Sequence, residues 1–140
     1  MREILFRAFV KDKNKIFDVK KIDFDYRIVW FEEENKPTDT MRMFDQIELM
    51  QFTGLTDKNG KKIFEGDIIK IVTETDDEEY PFVAEFFEIM FDDEKHRFVK
   101  RSDLGIDDFD YSKDEVNEYE IEVVGNVYEN EELIDGRKVL

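Results

Sequence analysis

The sequence predicts a mainly β protein, built as a small barrel or as two small sheets. Aromatic residues make up 14% of the 140 residues, and alanine, the strongest helix former, occurs only at Ala8 and Ala84. Apolar and polar residues alternate in several short segments, as in half-buried strands. Turn sequences containing glycine separate some of these segments. Together these three observations favour strands over helices.

The N-terminal part predicts paired strands. Residues 3–10 alternate, and a turn at 13–15 leads into a return strand at 16–19. Residues 22–31 fit either two strands hinged at 25–27 or one uninterrupted strand, because the alternation continues through the hinge. Both alternatives stay open at this point.

An exposed loop containing Pro37 is predicted at 32–40. Residues 44–52 fit helical spacing and strand alternation about equally, and we expect a short turn near Asp45 followed by a strand. Residues 1–52 are therefore expected to form a small N-terminal β lobe.

From Gly54 onward the chain turns repeatedly. Asn59-Gly60 predicts a type I′ turn, and residues 68–72 form an apolar run typical of a strand covered on both faces. The same criteria predict an acidic loop at 74–79, a strand at 82–91, a turn at 92–95, a strand at 96–99, a long acidic loop at 103–118, a strand at 119–127, a helical turn at 129–134 and a frayed tail after Gly136.

One long segment carries a family resemblance. Residues 52–69, Phe-Thr-Gly-Leu-Thr-Asp-Lys-Asn-Gly-Lys-Lys-Ile-Phe-Glu-Gly-Asp-Ile-Ile, resemble the signature of the YopX family of phage and prophage proteins. The opening residues 2–9 and the segment 125–130 resemble the family's first and closing strands. The resemblance implies an all-β protein whose C-terminal part, residues 53–140 with a short tail, is similar to an SH3-like barrel. It implies no reaction.

The residues of this resemblance also have turn-forming roles. Glycines supply the positive φ that tight turns need, Asp57 can accept hydrogen bonds from nearby main-chain N–H groups, Gly66 permits a bulge, and Asp67 can bond its own loop. We therefore interpret the set as structural; its members are Gly54, Asp57, Asn59, Gly60, Gly66, Asp67, Gly125 and Asn126.

Candidates for catalysis are few. Cysteine is absent, which removes thiolate nucleophiles and zinc–thiolate sites, and a triad would have to combine His96, the only histidine, with Ser102 or Ser112. Asp93-Glu94-Lys95 has the Asp-x-Lys order used by metal-dependent nucleases, but a turn is predicted here instead of the rigid strand that such sites use. We predict no catalytic residues.

No metal or cofactor site is predicted. Residues 57–60 resemble the start of an EF-hand loop, but the glycine falls at the fourth position and Ile68 occupies the twelfth. The acidic clusters 74–79 and 107–110 are interpreted as solvated loops rather than calcium sites.

The charge distribution suggests a partner surface. The chain holds 37 acidic and 21 basic residues, and residues 1–31 have a net charge of +3 whereas residues 32–140 have −19. Within the predicted loop 103–118, apolar rings stand among carboxylates. These rings and carboxylates form one set, which comprises Asp107, Asp108, Phe109, Asp110 and Tyr111. Either this set binds a basic partner, or its rings fold back onto the barrel.

Two classes of function follow. The first is a non-enzymatic phage accessory protein that binds a protein partner through an acidic surface, or, as a variant, mimics DNA toward a host nucleic-acid-binding protein. The second is a metal-dependent phage hydrolase using loop carboxylates. A charge of −16 argues against direct binding of nucleic acid or anionic membranes. With no apolar run near 18 residues, we expect a cytoplasmic protein of a bacterial host, and self-association stays open.

Overall fold

The computed structural model describes residues 2–134 and, for their backbone, residues 137–139. The chain is mainly β, with 50% of its residues in strands and 10% in helices, and one sheet curls into a half-barrel. This confirms that the protein is mainly β. In the part of the chain that the structure describes, no helix is long and apolar enough to cross a membrane.

Most elements of the described chain are β-strands, and the sheets also pair strands that are not consecutive in sequence. The elements are β1 (Phe6–Val10), β2 (Lys15–Asp18), β3 (Lys21–Asp23), β4 (Ile28–Phe31), β5 (Thr40–Met43), a first 3-10 helix (Phe44–Gln46), β6 (Ile47–Thr56), β7 (Lys62–Phe64), β8 (Asp67–Glu74), β9 (Phe82–Asp92), β10 (Arg97–Ser102), β11 (Gly105–Asp108), α1 (Lys113–Glu118), β12 (Glu122–Asn126), a second 3-10 helix (Glu131–Ile134) and β13 (Arg137–Val139).

The chain divides into two compact units, residues 1–52 and residues 53–140. In the first unit, β1 pairs antiparallel with β2 and with residues 47–51 of β6. A separate three-stranded sheet has the order β3-β4-β5. The core of the first unit combines buried residues from both sheets, namely Ala8, Val10, Val29, Phe31 and Ile47.

The hinged interpretation of residues 22–31 is correct. The turn at 24–27 separates β3 from β4, which pair in antiparallel register. Asp23 Oδ1 accepts hydrogen bonds from the N–H groups of Asp25 and Tyr26, both at 2.9 Å, and Arg27 has a φ of 57°. The carboxylate therefore reverses the chain although the apolar alternation continues. A turn near Asp45 followed by a strand is also confirmed.

In the second unit the sheet has the order β11-β10-β9-β8-β12, and β13 adds to β9. β8 carries buried residues on both of its faces, as predicted, including Ile68 and Ile69. A hydrophobic core lies beneath the curled sheet; it comprises Ile63, Ile69, Ile71, Phe87, Ile89, Phe109, Val116 and Ile121.

The prediction of one long loop at 103–118 is wrong. Residues 105–108 form β11, which pairs with β10, and residues 113–118 form α1. A capping box starts the helix, because Ser112 Oγ accepts the N–H of Glu115 and Glu115 Oε1 accepts the N–H of Ser112. The buried side chain of Val116 then anchors the helix to the core.

The C-terminal segment also differs from the prediction. A helical turn is present at 131–134, as expected. The tail after Gly136 is not wholly frayed, because residues 137–139 pair with residues 83–85 of β9. Gly136 itself and Leu140 lie outside the described residues.

Candidate functional site

Asp57, in the segment 52–69, is a buried carboxylate used entirely by main-chain donors. It is 5% exposed, and its Oδ1 accepts the N–H groups of Asn59 and Lys61, both at 2.9 Å. Its Oδ2 accepts the N–H of Val123 at 2.9 Å, 66 residues further along the chain. Asp57 therefore fastens the β6–β7 turn to β12, and its oxygens are not directed at a metal site.

The turn beside Asp57 is not the predicted type I′ turn. Gly60 N–H donates to Asp57 O at 3.0 Å and Gly60 has a φ of 81°, but Asn59 is not among the described residues with positive φ. A type I′ turn needs positive φ at both central residues. Because the Asp57 carboxylate holds Asn59 N–H, only Gly60 adopts the left-handed conformation.

Gly66 and Asp67 form the corner between β7 and β8. Asp67 is 1% exposed and its Oδ2 accepts the N–H of Phe64 at 2.8 Å. Gly66 has a φ of 80°, donates its N–H to Ile89 O at 2.8 Å and accepts the N–H of Val127 at 2.9 Å. Gly66 lies in a turn rather than in a bulge; a register shift occurs instead within β12.

Gly125 and Asn126 organise the turn after β12. A Cβ on Gly125 would lie 2.4 Å from Asn130 Oδ1, which is too close for any real contact. Asn126 Oδ1 accepts the N–H groups of Tyr128 at 3.0 Å and Glu129 at 3.1 Å. Gly54 has a φ of 89° but lies within β6 rather than in a turn.

The candidates for nucleophilic catalysis are not brought together. His96 ends the β9–β10 turn with a φ of 55°, and its N–H donates to Asp92 O at 2.7 Å. Ser102 lies at the far end of β10, which at about 3.3 Å per residue places it roughly 20 Å away. Ser112 caps α1. The geometry therefore contains no serine–histidine pair among these residues.

The metal-binding candidates are also dispersed. Asp93, Glu94 and Lys95 lie in the exposed β9–β10 turn. Asp92 accepts the N–H groups of Lys95 and Glu94, and these hydrogen bonds lower the pKa of its carboxyl. Among the described residues, no three His, Asp or Glu side chains converge closely enough to hold a metal ion.

The set at 107–111 is divided by the structure. Phe109 is 8% exposed and belongs to the core, so its ring is not available to a partner. Asp108 Oδ1 pairs with Arg97 Nε at 3.1 Å, while Asp107 and Asp110 are exposed. Tyr111 accepts a hydrogen bond from Lys100 Nζ at 2.7 Å and packs against the core. The carboxylates thus remain at the surface while the ring of Phe109 turns inward.

The structure reveals a cleft that the sequence does not predict. A cavity of about 320 Å³ is lined by residues 72–74, Phe82 and residues 118–120. The paired ends of β8 and β9 supply residues 72–74 and Phe82, and residues 118–120 come from a segment remote in sequence. The Tyr119 carbonyl accepts the N–H of Val72 at 2.9 Å and holds the two parts together. No periodic signal in the sequence links these segments.

Three glutamates and an exposed phenylalanine ring line the cleft. Glu74, Glu118 and Glu120 are exposed, and none of them forms an ion pair with another described residue. Phe82 is 44% exposed. The ring of Tyr119 lies 6.0 Å from that of Tyr111, so an aromatic row leads from the cleft towards residues 107–110.

Comparisons with known proteins identify a family and a fold. The model of the family described as YopX protein matches residues 5–135. The crystal structure of protein EF1440 from Enterococcus faecalis is similar to this chain with a TM-score of 0.65 and 23% identity, covering 96% of this chain and 100% of that one. No protein of curated function matches. At this level of identity the structural similarity concerns the fold alone.

Proposed function

The chain belongs to the YopX family, and from this premise we propose that it is a non-enzymatic phage or prophage accessory protein whose acidic surface binds a basic segment of a protein partner. It acts in the cytoplasm of a bacterial host. Residues 53–140 serve as an SH3-like barrel that presents this surface, and residues 1–52 form an accompanying β lobe.

The observation that carries the proposal is the glutamate-lined cleft. Its three glutamates form no ion pair with another described residue, and the exposed ring of Phe82 lines the same cleft. A lysine or arginine side chain offers both an apolar stem and a charged head, and the cleft offers contacts for each part. A compact metal ion fits less well, since no three carboxylates among the described residues converge on one point.

The charge of the second unit supports a basic partner. Residues 53–140 contain 26 acidic and 11 basic side chains, whereas residues 1–52 contain 11 acidic and 10 basic ones. Such a field attracts cationic partners and accelerates association, and salt weakens it. We assign Asp107, Asp108 and Asp110 to this field, at the far end of the aromatic row from the cleft.

The test compares two variants with the same change in charge. The cleft variant neutralises the glutamates of the cleft through Glu74→Gln, Glu118→Gln and Glu120→Gln. The 107–110 variant neutralises three acidic residues outside the cleft through Asp107→Asn, Asp108→Asn and Asp110→Asn. Each full-length protein is immobilised and titrated with an arginine-rich peptide and with basic proteins eluted by salt from bacterial lysate.

We expect the affinity of the cleft variant for a captured basic protein to fall at least tenfold. The 107–110 variant should mainly associate more slowly with that protein. His96→Ala should leave capture unchanged. Equal binding by the cleft variant and the unmodified protein at low salt would overturn the proposal. Capture of nucleic-acid-binding proteins, displaced competitively by duplex DNA, would instead identify a DNA mimic.

A further inference from the structure

The three-stranded sheet of the first unit has one buried face and an opposite face whose apolar residues are half-buried on β4 and exposed on β5. Directly paired residues of antiparallel strands lie on the same face. The buried face carries Val29 and Phe31, both in the core. The opposite face, which we call the outer face, carries the register pairs Ile28 with Met43 and Trp30 with Met41.

The outer face continues into the β3–β4 turn. Tyr26 and Met43 line the same shallow cavity, of about 330 Å³, together with Phe44. The ring of Phe24 lies 6.3 Å from that of Phe44. Apolar residues therefore extend from the sheet to the β3–β4 turn, and Arg27 and Asp45 also line the cavity between them.

The exposed apolar area of the outer face and the adjoining turn is a large part of the area that one partner buries in a standard interface. Phe24, Tyr26, Met41 and Met43 are 71%, 75%, 52% and 52% exposed. A side chain of this size presents on the order of 200 Å² when fully accessible, so the four expose about 500 Å² in total. This lies at the upper end of the largest patches on monomeric proteins, about 300–600 Å². It is also more than half of the roughly 800 Å² per partner of a standard interface.

The charges at the outer face favour a second copy of this chain as its binding partner. Both signs occur at the β3 edge of the outer face: Lys21 pairs with Trp30 and its Nζ lies 4.6 Å from that ring, and Asp23 pairs with Ile28. A two-fold contact brings a patch against its own copy in the reversed direction, so a mixed border can pair with itself. Residues 1–52 have a net charge near zero, and a contact between two first units carries little repulsion, unlike one through the acidic second unit.

We propose that the outer face, centred on Trp30, Met41 and Met43, is a homodimer interface in which it packs against the same face of a second copy of this chain. The inference does not rest on the proposed function, because it uses the other unit and other residues. Burial of the methionines and the tryptophan excludes water from the centre, and the charged border sets the register.

The test measures the mass of the full-length protein by sedimentation velocity across a wide range of concentration. Met41→Lys with Met43→Lys places two charges at the centre of the outer face without entering the core. The matched control is Leu104→Lys with Ile106→Lys, which changes two residues that are 69% and 53% exposed in the second unit. Circular dichroism verifies that each variant is folded.

We expect the unmodified protein and the control to sediment at twice the 16.9 kDa chain mass, and the double methionine variant to show a dissociation constant at least tenfold higher. Trp30, the only tryptophan, should show a blue shift of its emission as the unmodified protein is concentrated. A monomer at every concentration, or a dimer that the methionine substitutions leave intact, would overturn the proposal. Quenching of Trp30 in a monomer by oligothymidylate would assign the face to single-stranded nucleic acid instead.

Discussion

Replacing Asp57 with alanine removes a carboxylate that accepts three main-chain hydrogen bonds. Hydrogen bonds to charged groups contribute about 1.5–3 kcal/mol each. Asn59 and Lys61 are exposed, so water can replace the carboxylate there and these two bonds count at or below the low end of that range. Val123 is half-buried, and its N–H loses its partner more completely. We expect the free energy of unfolding to fall by about 4 kcal/mol, out of a typical total of about 5–15 kcal/mol.

Asp57→Asn separates the contributions of the two oxygens. The amide keeps one acceptor for the turn but directs an NH₂ group at the N–H of Val123, where two donors face each other. We expect a loss of about 2 kcal/mol. The matched control is Asp77→Ala, because Asp77 Oδ1 also accepts two main-chain N–H groups but lies in an exposed turn. It should cost less than about 1 kcal/mol.

Urea unfolding followed by far-ultraviolet circular dichroism gives the three free energies. Hydrogen exchange locates the effect, since the amides of Lys61 and Val123 should lose protection in Asp57→Ala. A loss below about 1 kcal/mol, or equal losses in Asp57→Ala and Asp77→Ala, would refute the reasoning that the long-range bond to β12 dominates.

Two further predictions concern the β7–β8 corner and acid sensitivity. Gly66→Val should lower the free energy of unfolding by about 1–3 kcal/mol, because a β-branched residue is strained at a φ of 80°; an unchanged melting temperature would show that the glycine is merely tolerated. Ion pairs from Lys13 at 2.8 Å and Lys36 at 2.6 Å, with a hydrogen bond from Thr40, lower the pKa of Glu33 from 4.5 to about 2. Since the folded-state pKa lies below the unfolded one, its stabilisation is present above pH 4.5 and is lost as the pH falls towards 2. Glu33→Gln should flatten the pH dependence in that window, and a carboxyl that titrates near 4.5 by NMR would contradict the prediction.

Local signals predict much of the strand content and several of the turns. Alternation locates β1, because a half-buried strand needs an apolar residue at every second position. A continuous apolar run locates β8, which is buried on both faces. Turn residues likewise mark Gly60 and Gly66, since positive φ is inexpensive only for glycine. The prediction of a loop at 103–118 is wrong because β11 is exposed along its whole length and shows no apolar alternation. Only its pairing with β10 makes it a strand.

By itself, the sequence determined the mainly β fold class, the family and the places where glycines turn the chain at Gly60 and Gly66, because strand and turn signals lie in residues near one another in the chain. Tertiary structure alone decided the rest. The bond from Asp57 to Val123 spans 66 residues, and the cleft combines the end of the β8–β9 hairpin with the remote residues 118–120. The face on which Met41 and Met43 lie depends on their register with Trp30 and Ile28. Register and distant contacts arise from the collective burial of the core, which a periodic pattern in one segment does not encode.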